Sequence, residues 1–273
     1  MSTQTKRPLG TFIPDLLVEN RAVVFIESVI ALVIAWALAY RFLPGAQNAF
    51  VSPTQTAVAT YDLLMSGIWI QHWVASLTHV AYGFTIALFA GTAIGLLIGW
   101  WDFWEKAFQD YLTLGLTVPS LFVAIFTAMW FGIGPTTPAA AAAIVATPYL
   151  AMNVYGGVDN IDNDLINMAN AFEISKLRVI RRIIVRSVLP DWFAGIRYAL
   201  ALSWKIASLA EYIAAQEGIG YMIRFEMRVL DLAGVLSWVI FFTIFLLVLE
   251  YGVLAQIEKR AFKWRQDDDL GWS

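Results

Sequence analysis

The chain has 273 residues, of which 59% are hydrophobic and 14% are charged, and its mean hydropathy is +0.66. A soluble domain is usually about 45–50% apolar and about 25% charged, so this composition excludes a single soluble globular domain. The net charge of -3 gives no reason to expect nucleic-acid binding, and the absence of cysteine excludes disulfides, thiolate metal sites and cysteine nucleophiles.

Six apolar stretches have the length of about 20 residues that an α-helix needs to cross a bilayer. In chain order the predicted spans are 23–42, 74–100, 111–131, 139–158, 192–213 and 235–257. Segment 1–22 lacks the apolar core and cleavage site of a secretory signal peptide, so we expect it to stay attached. The predicted fold class is therefore all-α, a polytopic membrane protein with six transmembrane helices.

The positions of Lys and Arg predict which loops face the cytoplasm. Segment 1–22, loop 159–191 and tail 258–273 hold 12 of the 18 Lys and Arg residues, whereas residues 43–72 contain none. Six spans put both termini on one side of the membrane. The positive-inside rule then places both termini and loop 159–191 in the cytoplasm.

The second predicted span carries a small residue at every fourth position. These residues are Gly83, Ala87, Gly91, Gly95 and Gly99. Small residues at this spacing let helix backbones approach closely. We favour packing against another helix of the same chain, and the alternative is a subunit interface.

The only two histidines are His72, just before this span, and His79, inside it near the outer end. They share a helical face, but no third ligand accompanies them. We therefore expect polar contacts near the outer interface rather than a metal site.

Loop 159–191 combines basic residues with apolar residues at helical spacing. Leu165, Ala169 and Phe172 form one set, and a second set begins at Leu177. The pattern predicts two short amphipathic helices, and Pro190 fits the start of the helix that follows them. The loop either only fixes topology or presents an apolar face to a partner protein.

In that loop, Ala169, Phe172, Ser175 and the pair Leu189–Pro190 resemble the A-x-x-x-G…L-P signature of the permease subunits of bacterial ABC importers. Three positions depart from it, since Asn167 replaces a glutamate, Met168 an alanine and Glu173 a glycine. The resemblance implies a coupling helix that contacts the ATPase subunit. The residues implied in this contact are Leu165, Asn167, Met168, Ala169, Phe172, Glu173 and Ser175.

Three further stretches resemble the nitrate/sulfonate/taurine branch of that family. They are "VSPTQTAVATYDLLMSG" (51–67), "TVPSLFVAIFTAMWFGIG" (117–134) and "ALSWKIASLAEYIAAQEGIGYMI" (201–223). The resemblance covers almost all of 51–257. It implies the type I ABC importer permease fold in a bacterial inner membrane.

The same resemblance implies the partners. Two permease copies would form the pathway, two ATPase subunits would bind inside, and a soluble binding protein would deliver solute outside. The chain lacks the phosphate-binding motif G-x-x-x-x-G-K-[ST], so ATP and Mg would be used by the partner ATPase, and this chain would be a transport subunit rather than an enzyme. The alternative is a secondary active transporter or a channel-like protein without an ATPase.

Lys205 lies inside the fifth predicted span, where a lysine costs roughly 2.5–3.5 kcal/mol on insertion scales. At 100° per residue, Trp204, Ser208 and Glu211 fall on the same face as Lys205. Either a buried carboxylate of this or a partner subunit neutralises Lys205, or Lys205 faces the translocation path and attracts anions. In the second case, Met129 and Trp130 are further candidates opposite it.

Overall fold

The computed structural model describes residues 21–46, 50–254 and 256, so most of segment 1–22 and tail 258–273 lies outside the described residues. In that part of the chain, all regular secondary-structure elements are helical. They are α1 (Arg21–Phe42), α2 (Pro53–Ser66), α3 (Ile68–Trp100), α4 (Asp102–Thr117), α5 (Ser120–Phe131), α6 (Thr136–Asp159), α7 (Asn163–Ala171), α8 (Lys176–Val179), α9 (Val185–Ala214), α10 (Ile219–Arg228) and α11 (Leu232–Leu247). Two π-helical segments, Ile180–Ile184 and Val248–Leu254, follow α8 and α11.

The core is built where α6 lies between α3 and α9. The glycines of α3 face α6, because a Cβ on Gly95 would lie 2.5 Å from the Ala151 carbonyl oxygen and 2.6 Å from Val154 Cβ. A Cβ on Gly99 would lie 2.6 Å from Val158 Cβ. The predicted seam of small residues is therefore internal to one chain, as expected. It lets the two backbones pack in contact, which in lipid replaces the hydrophobic drive for helix association.

The third predicted span, 111–131, is not one helix. α4 ends at Thr117, α5 begins at Ser120, and their axes differ by 100°. Pro119 causes the break, because its ring keeps the preceding residue out of the helical region, and Val118 has φ -61° and ψ 124°. The prediction of one continuous helix over 111–131 was wrong. It counted apolar residues and gave no weight to Pro119, which interrupts the helix.

The second helical set of loop 159–191 is not a separate helix. α8, the π-helical segment and α9 follow one another without a break, and Pro190 lies inside α9 rather than at its start. Pro148 lies inside α6 in the same way. Each proline removes only one N–H donor from the helix ladder, and both helices continue through it.

Length and hydropathy identify four described helices that could cross a membrane. They are Val23–Phe42, Ile68–Trp100, Thr136–Asp159 and Leu232–Glu250, and the bent pair α4–α5 would be a fifth. α9 has 30 residues, about 45 Å, but Arg197, Lys205 and Glu211 lower its hydropathy. The count of six spans therefore stays a prediction.

Candidate translocation and coupling sites

The outer end of α9 is organised around a buried carboxylate. Glu211 is fully buried, and its Oε2 accepts hydrogen bonds from Ser76 Oγ at 2.8 Å and from the Gly220 backbone N–H at 3.0 Å. His79 Nδ1 lies 2.8 Å from Glu211 Oε1. The carboxylate thus joins α3, α9 and the beginning of α10, and its three polar contacts offset the cost of burying it.

The turn before α10 is shaped to fit Glu211. Gly218 has φ +110°, a conformation that L residues rarely adopt, and its N–H points to His72 Nδ1 at 3.2 Å. The Ile219 N–H donates to Ser76 Oγ at 2.8 Å. A side chain on Gly218 would overlap the Glu211 carboxylate, so this turn and this glutamate require each other.

Two sequence interpretations change here. We expected His79 to make polar contacts near the outer interface, but it is only 3% exposed and pairs with Glu211 inside the chain. We also placed Glu211 among the pathway residues, and its side chain is buried instead. The signal that could have revealed this network is the spacing of Ser76 and His79, which puts two polar side chains on one face of an apolar helix.

The exposed face of α9 is narrower than the predicted polar face. Trp204 is 1% exposed and packs its ring 4.7 Å from that of Phe245, so it also leaves the set of candidates. Ser208 is half-buried and donates to the Trp204 carbonyl at 2.9 Å. Over residues 195–214 of α9 the exposed residues are Tyr198, Lys205 and Tyr212, each about two helical turns from the next.

Lys205 is exposed in the single chain and forms no ion pair with any described residue. The interpretation that a carboxylate of the same chain neutralises it is therefore wrong for the described residues. Glu211 was the nearest such group along α9, and its oxygens are already bonded to Ser76, His79 and Gly220.

The break between α4 and α5 lies beside the same face of α9. Tyr149 Oη donates to the Leu116 carbonyl at 3.4 Å, and the rings of Tyr149 and Tyr198 are 5.3 Å apart. Tyr149 is at the middle of α6, so the break is at mid-depth of the helical body. The breaking residues, 117–119, are exposed.

Met129 and Trp130 lie near the far end of α5 and are strongly exposed, at 74% and 78%. Their position in the pathway opposite Lys205 stays a prediction. No described contact joins either side chain to Lys205.

The coupling segment presents an apolar surface on α7. Leu165, Met168 and Phe172 are 41%, 48% and 74% exposed. Ala169 is fully buried against its own chain, so it supports α7 from beneath and does not belong to the exposed face. The remaining predicted contact residues are all exposed: Asn167, Glu173 and Ser175.

Glu173 ends α7 in a left-handed conformation, with φ +53°. The Glu173 N–H donates to the Asn170 carbonyl at 3.0 Å and the Ile174 N–H to the Ala169 carbonyl at 2.9 Å, which is a Schellman motif. Glycine suits this position best, because other residues pay roughly 1–2 kcal/mol there. The turn that ends α7 therefore forms with Glu173 in the position where glycine is expected.

Residues 83–263 match the family model described as binding-protein-dependent transport system inner membrane component. The formylaminopyrimidine transport permease protein ThiX of Halalkalibacterium halodurans is 26% identical over 86% of this chain and 93% of its own length. The taurine transport system permease protein TauC of Escherichia coli is 26% identical over 82% of this chain and 80% of its own. The riboflavin transport system permease protein RibX of Chloroflexus aurantiacus is 29% identical over 79% and 81%.

Two solved structures share the fold. An inward-facing structure of the MetNI methionine ABC transporter has a TM-score of 0.59 at 17% identity, covering 71% of this chain and 94% of that chain. A structure of an amino acid ABC transporter with histidines has a TM-score of 0.62 at 15% identity, covering 73% and 97%.

The fold and the matched region define an inner-membrane transport subunit of the type I ABC importer class. The chain belongs to the family of binding-protein-dependent transport system inner membrane components, and it is the permease subunit of an ABC importer. The resemblance seen in the sequence is confirmed.

Proposed function

We propose that the exposed face formed by Tyr198, Lys205 and the break at 117–119 lines the translocation pathway, between this chain and a second copy of it. The main support for this proposal is that the break between α4 and α5 is exposed at mid-depth of the helical body. Backbone that is not helical is tolerated at membrane depth only where protein covers it or water reaches it, and lipid does neither. An exposed lysine in the same helical body has the same restriction. A pathway between two copies of the chain would give water access to the helix break and to Lys205, and so would meet both requirements.

The solute that this face suits best is a small organic anion. Lys205 is a fixed positive charge without a described partner, about 10 Å along α9 from Tyr198. The taurine named for TauC carries a sulfonate group, which supports the proposal without identifying the solute. Ser208, Met129 and Trp130 remain secondary candidates for the same path.

Replacing Lys205 by methionine is expected to lower uptake of anionic solutes roughly ten- to hundredfold, because losing one charge-assisted contact costs about 1.5–3 kcal/mol. Lys205→Arg keeps the charge and should keep most of the uptake. The measurement is uptake by proteoliposomes of the assembled complex, using a panel of labelled sulfonates and carboxylates. Unchanged uptake by the methionine variant would remove Lys205 from the pathway, and loss of assembly would favour a pair with a carboxylate of the second copy.

The proposed partners follow from the two ends of the molecule. Two ATPase subunits would dock on the exposed α7 faces of a homodimer and use ATP and Mg, and a soluble binding protein would deliver solute at the opposite end. Both termini would then lie in the cytoplasm. Co-purification of the chain with an ATPase of this class is the first test, and ATP-independent uptake by the chain alone would favour a secondary transporter.

Phe172→Asp is expected to abolish binding-protein-stimulated ATP hydrolysis while the permease still inserts in the membrane. Phe172 is 74% exposed in the single chain, so a charge there costs the isolated fold little but is costly once a partner covers it. Asn170→Asp is the matched control, since Asn170 is exposed on the same helix without belonging to the apolar face. Full ATPase stimulation and uptake by the Phe172 variant would show that α7 is not the docking surface.

A further inference from the structure

Four arginines line one cleft on the segment that leads into α9. Arg178, Arg181, Arg182 and Arg186 are all exposed, and together with Ser175, Leu177 and Val185 they border a cleft of about 810 Å³. No described acidic side chain forms an ion pair with any of them. Lys and Arg in this loop contribute to topology by the positive-inside rule, and the apolar coupling surface on α7 does not include these four arginines.

The opposite side of this segment packs on the chain and fixes the arginine face outward. Val179 is 9% exposed, and Ile184 and Val188 pack in the same core cluster as Val158 of α6. The basic face therefore points away from the helical body. Its orientation is set by packing, so the four charges stay together in one place.

The cleft begins at the level where the membrane-crossing helices end. Val188 lies beside the end of α6, and the last turn of α3 also reaches this level, because Gly99 faces Val158. Trp100 and Trp101 are about half exposed there, as expected for aromatic residues at a membrane interface. Arg186 and Arg182 lie about 3 and 9 Å further along the helix axis, against an interfacial layer about 5–8 Å deep. With their long side chains, both guanidinium groups reach the headgroup region.

We infer that this cleft binds the phosphate headgroup of an anionic phospholipid, such as phosphatidylglycerol, from the cytoplasmic leaflet. Arginine forks bind phosphate oxygens in pairs, and the guanidinium groups of Arg186 and Arg182 complement that charge at headgroup level. Arg181 and Arg178, about 10 and 15 Å beyond Val188, continue the same positive surface away from the membrane. Clusters of basic residues next to a membrane helix attract anionic lipid with a gain of roughly fivefold in affinity per residue. The inference is independent of which solute passes through the pathway.

The charge pattern favours lipid over the ATPase as the occupant. Leu165, Met168 and Phe172 form an exposed apolar surface that suits a protein groove. The cleft instead has arginines as four of its seven bordering residues, with Leu177 and Val185 as its exposed apolar members. A protein partner that covered the arginines would also have to enter the headgroup layer.

The absence of cysteine allows a single-site fluorescence test on the purified full chain. Ser175→Cys places an environment-sensitive fluorophore at the border of the cleft, and the labelled chain in neutral detergent is titrated with phosphatidylglycerol or phosphatidylcholine. Phosphatidylglycerol should shift the emission at a concentration at least tenfold lower than phosphatidylcholine. Raising ionic strength from about 0.1 to 1 M should remove this difference, since screening shortens to about 3 Å.

Replacing the four arginines together by glutamine should make the two lipids equivalent, whereas replacing them by lysine should preserve most of the preference. Arg228→Gln is the matched control, because Arg228 is exposed at the other end of the molecule. An unfolded glutamine variant is recognised by its melting profile, and Arg182→Gln alone then replaces it, with an expected loss of about fivefold. Equal binding of both lipids by the parent chain, full competition by millimolar inorganic phosphate, or displacement of phosphatidylglycerol by the ATPase subunit would each overturn the inference.

Discussion

Glu211→Leu is expected to destabilise the permease by about 3 kcal/mol or more. Leucine fills much of the space but leaves Ser76 Oγ, His79 Nδ1 and the Gly220 N–H without their acceptor in a fully buried site. Each buried polar group left without a partner costs about 1–3 kcal/mol. Thermal unfolding of the detergent-solubilised chain measures the loss, and hydrogen exchange should show faster opening of the turn at 218–220.

Glu217→Gln is the matched control for that experiment. Glu217 belongs to the same turn but is only partly buried and makes no described hydrogen bond through its side chain, so its stability effect should stay within about 0.5 kcal/mol. A Glu211→Leu variant that melts with the parent chain would show that the carboxylate does not hold the outer turn in place.

Gly95→Val is expected to disrupt the packing of α3 on α6. Its Cβ would lie 2.5 Å from the Ala151 carbonyl oxygen and 2.6 Å from Val154 Cβ, and neither the backbone oxygen nor the β-branched neighbour can move aside. Overpacking of this kind costs typically 1–3 kcal/mol, and here the backbone contact puts the cost at the upper end. Reduced yield of folded protein and a lower melting temperature are the expected results.

Gly156→Ala, in the neighbouring helix α6, is expected to change stability in the opposite direction. A Cβ on Gly156 meets nothing within 4 Å, so alanine should raise stability by up to about 1 kcal/mol through its better helix propensity. If Gly95→Val and Gly156→Ala shifted the melting temperature alike, the seam between α3 and α6 would not be a close backbone contact.

Apolar length was enough to predict where α1, α3, α6 and α11 lie, because a span needs little besides about 20 apolar residues. The three prolines near helix interiors show where this reasoning stops. Pro119 separates α4 from α5, whereas α6 and α9 continue through Pro148 and Pro190. The residue type is the same, and the difference lies in the packing around each one, which a single sequence does not contain.

The helical wheel had a similar limit at the candidate site. It grouped Trp204, Lys205 and Glu211 on one face, since they lie within an arc of polar or amphipathic residues. In the structure, one edge of this face packs against neighbouring helices and the other edge is exposed. Trp204 and Glu211 are therefore buried, whereas Lys205 is not. A wheel gives the angle between residues but not the position of the neighbouring helices.

The unbroken run from Lys176 through the π-helical segment to Ala214 has a mechanical consequence. This run is about 58 Å long, begins beside the α7 surface, and ends where Glu211 holds the outer turn. The middle of the run packs in the core, where a Cβ on Gly195 would lie 2.8 Å from Leu150 Cδ1, so a tilt of the run as one body would pivot there. A tilt of about 5° moves each end by about 2.5 Å in opposite directions, which is the scale on which packed interfaces switch between discrete arrangements.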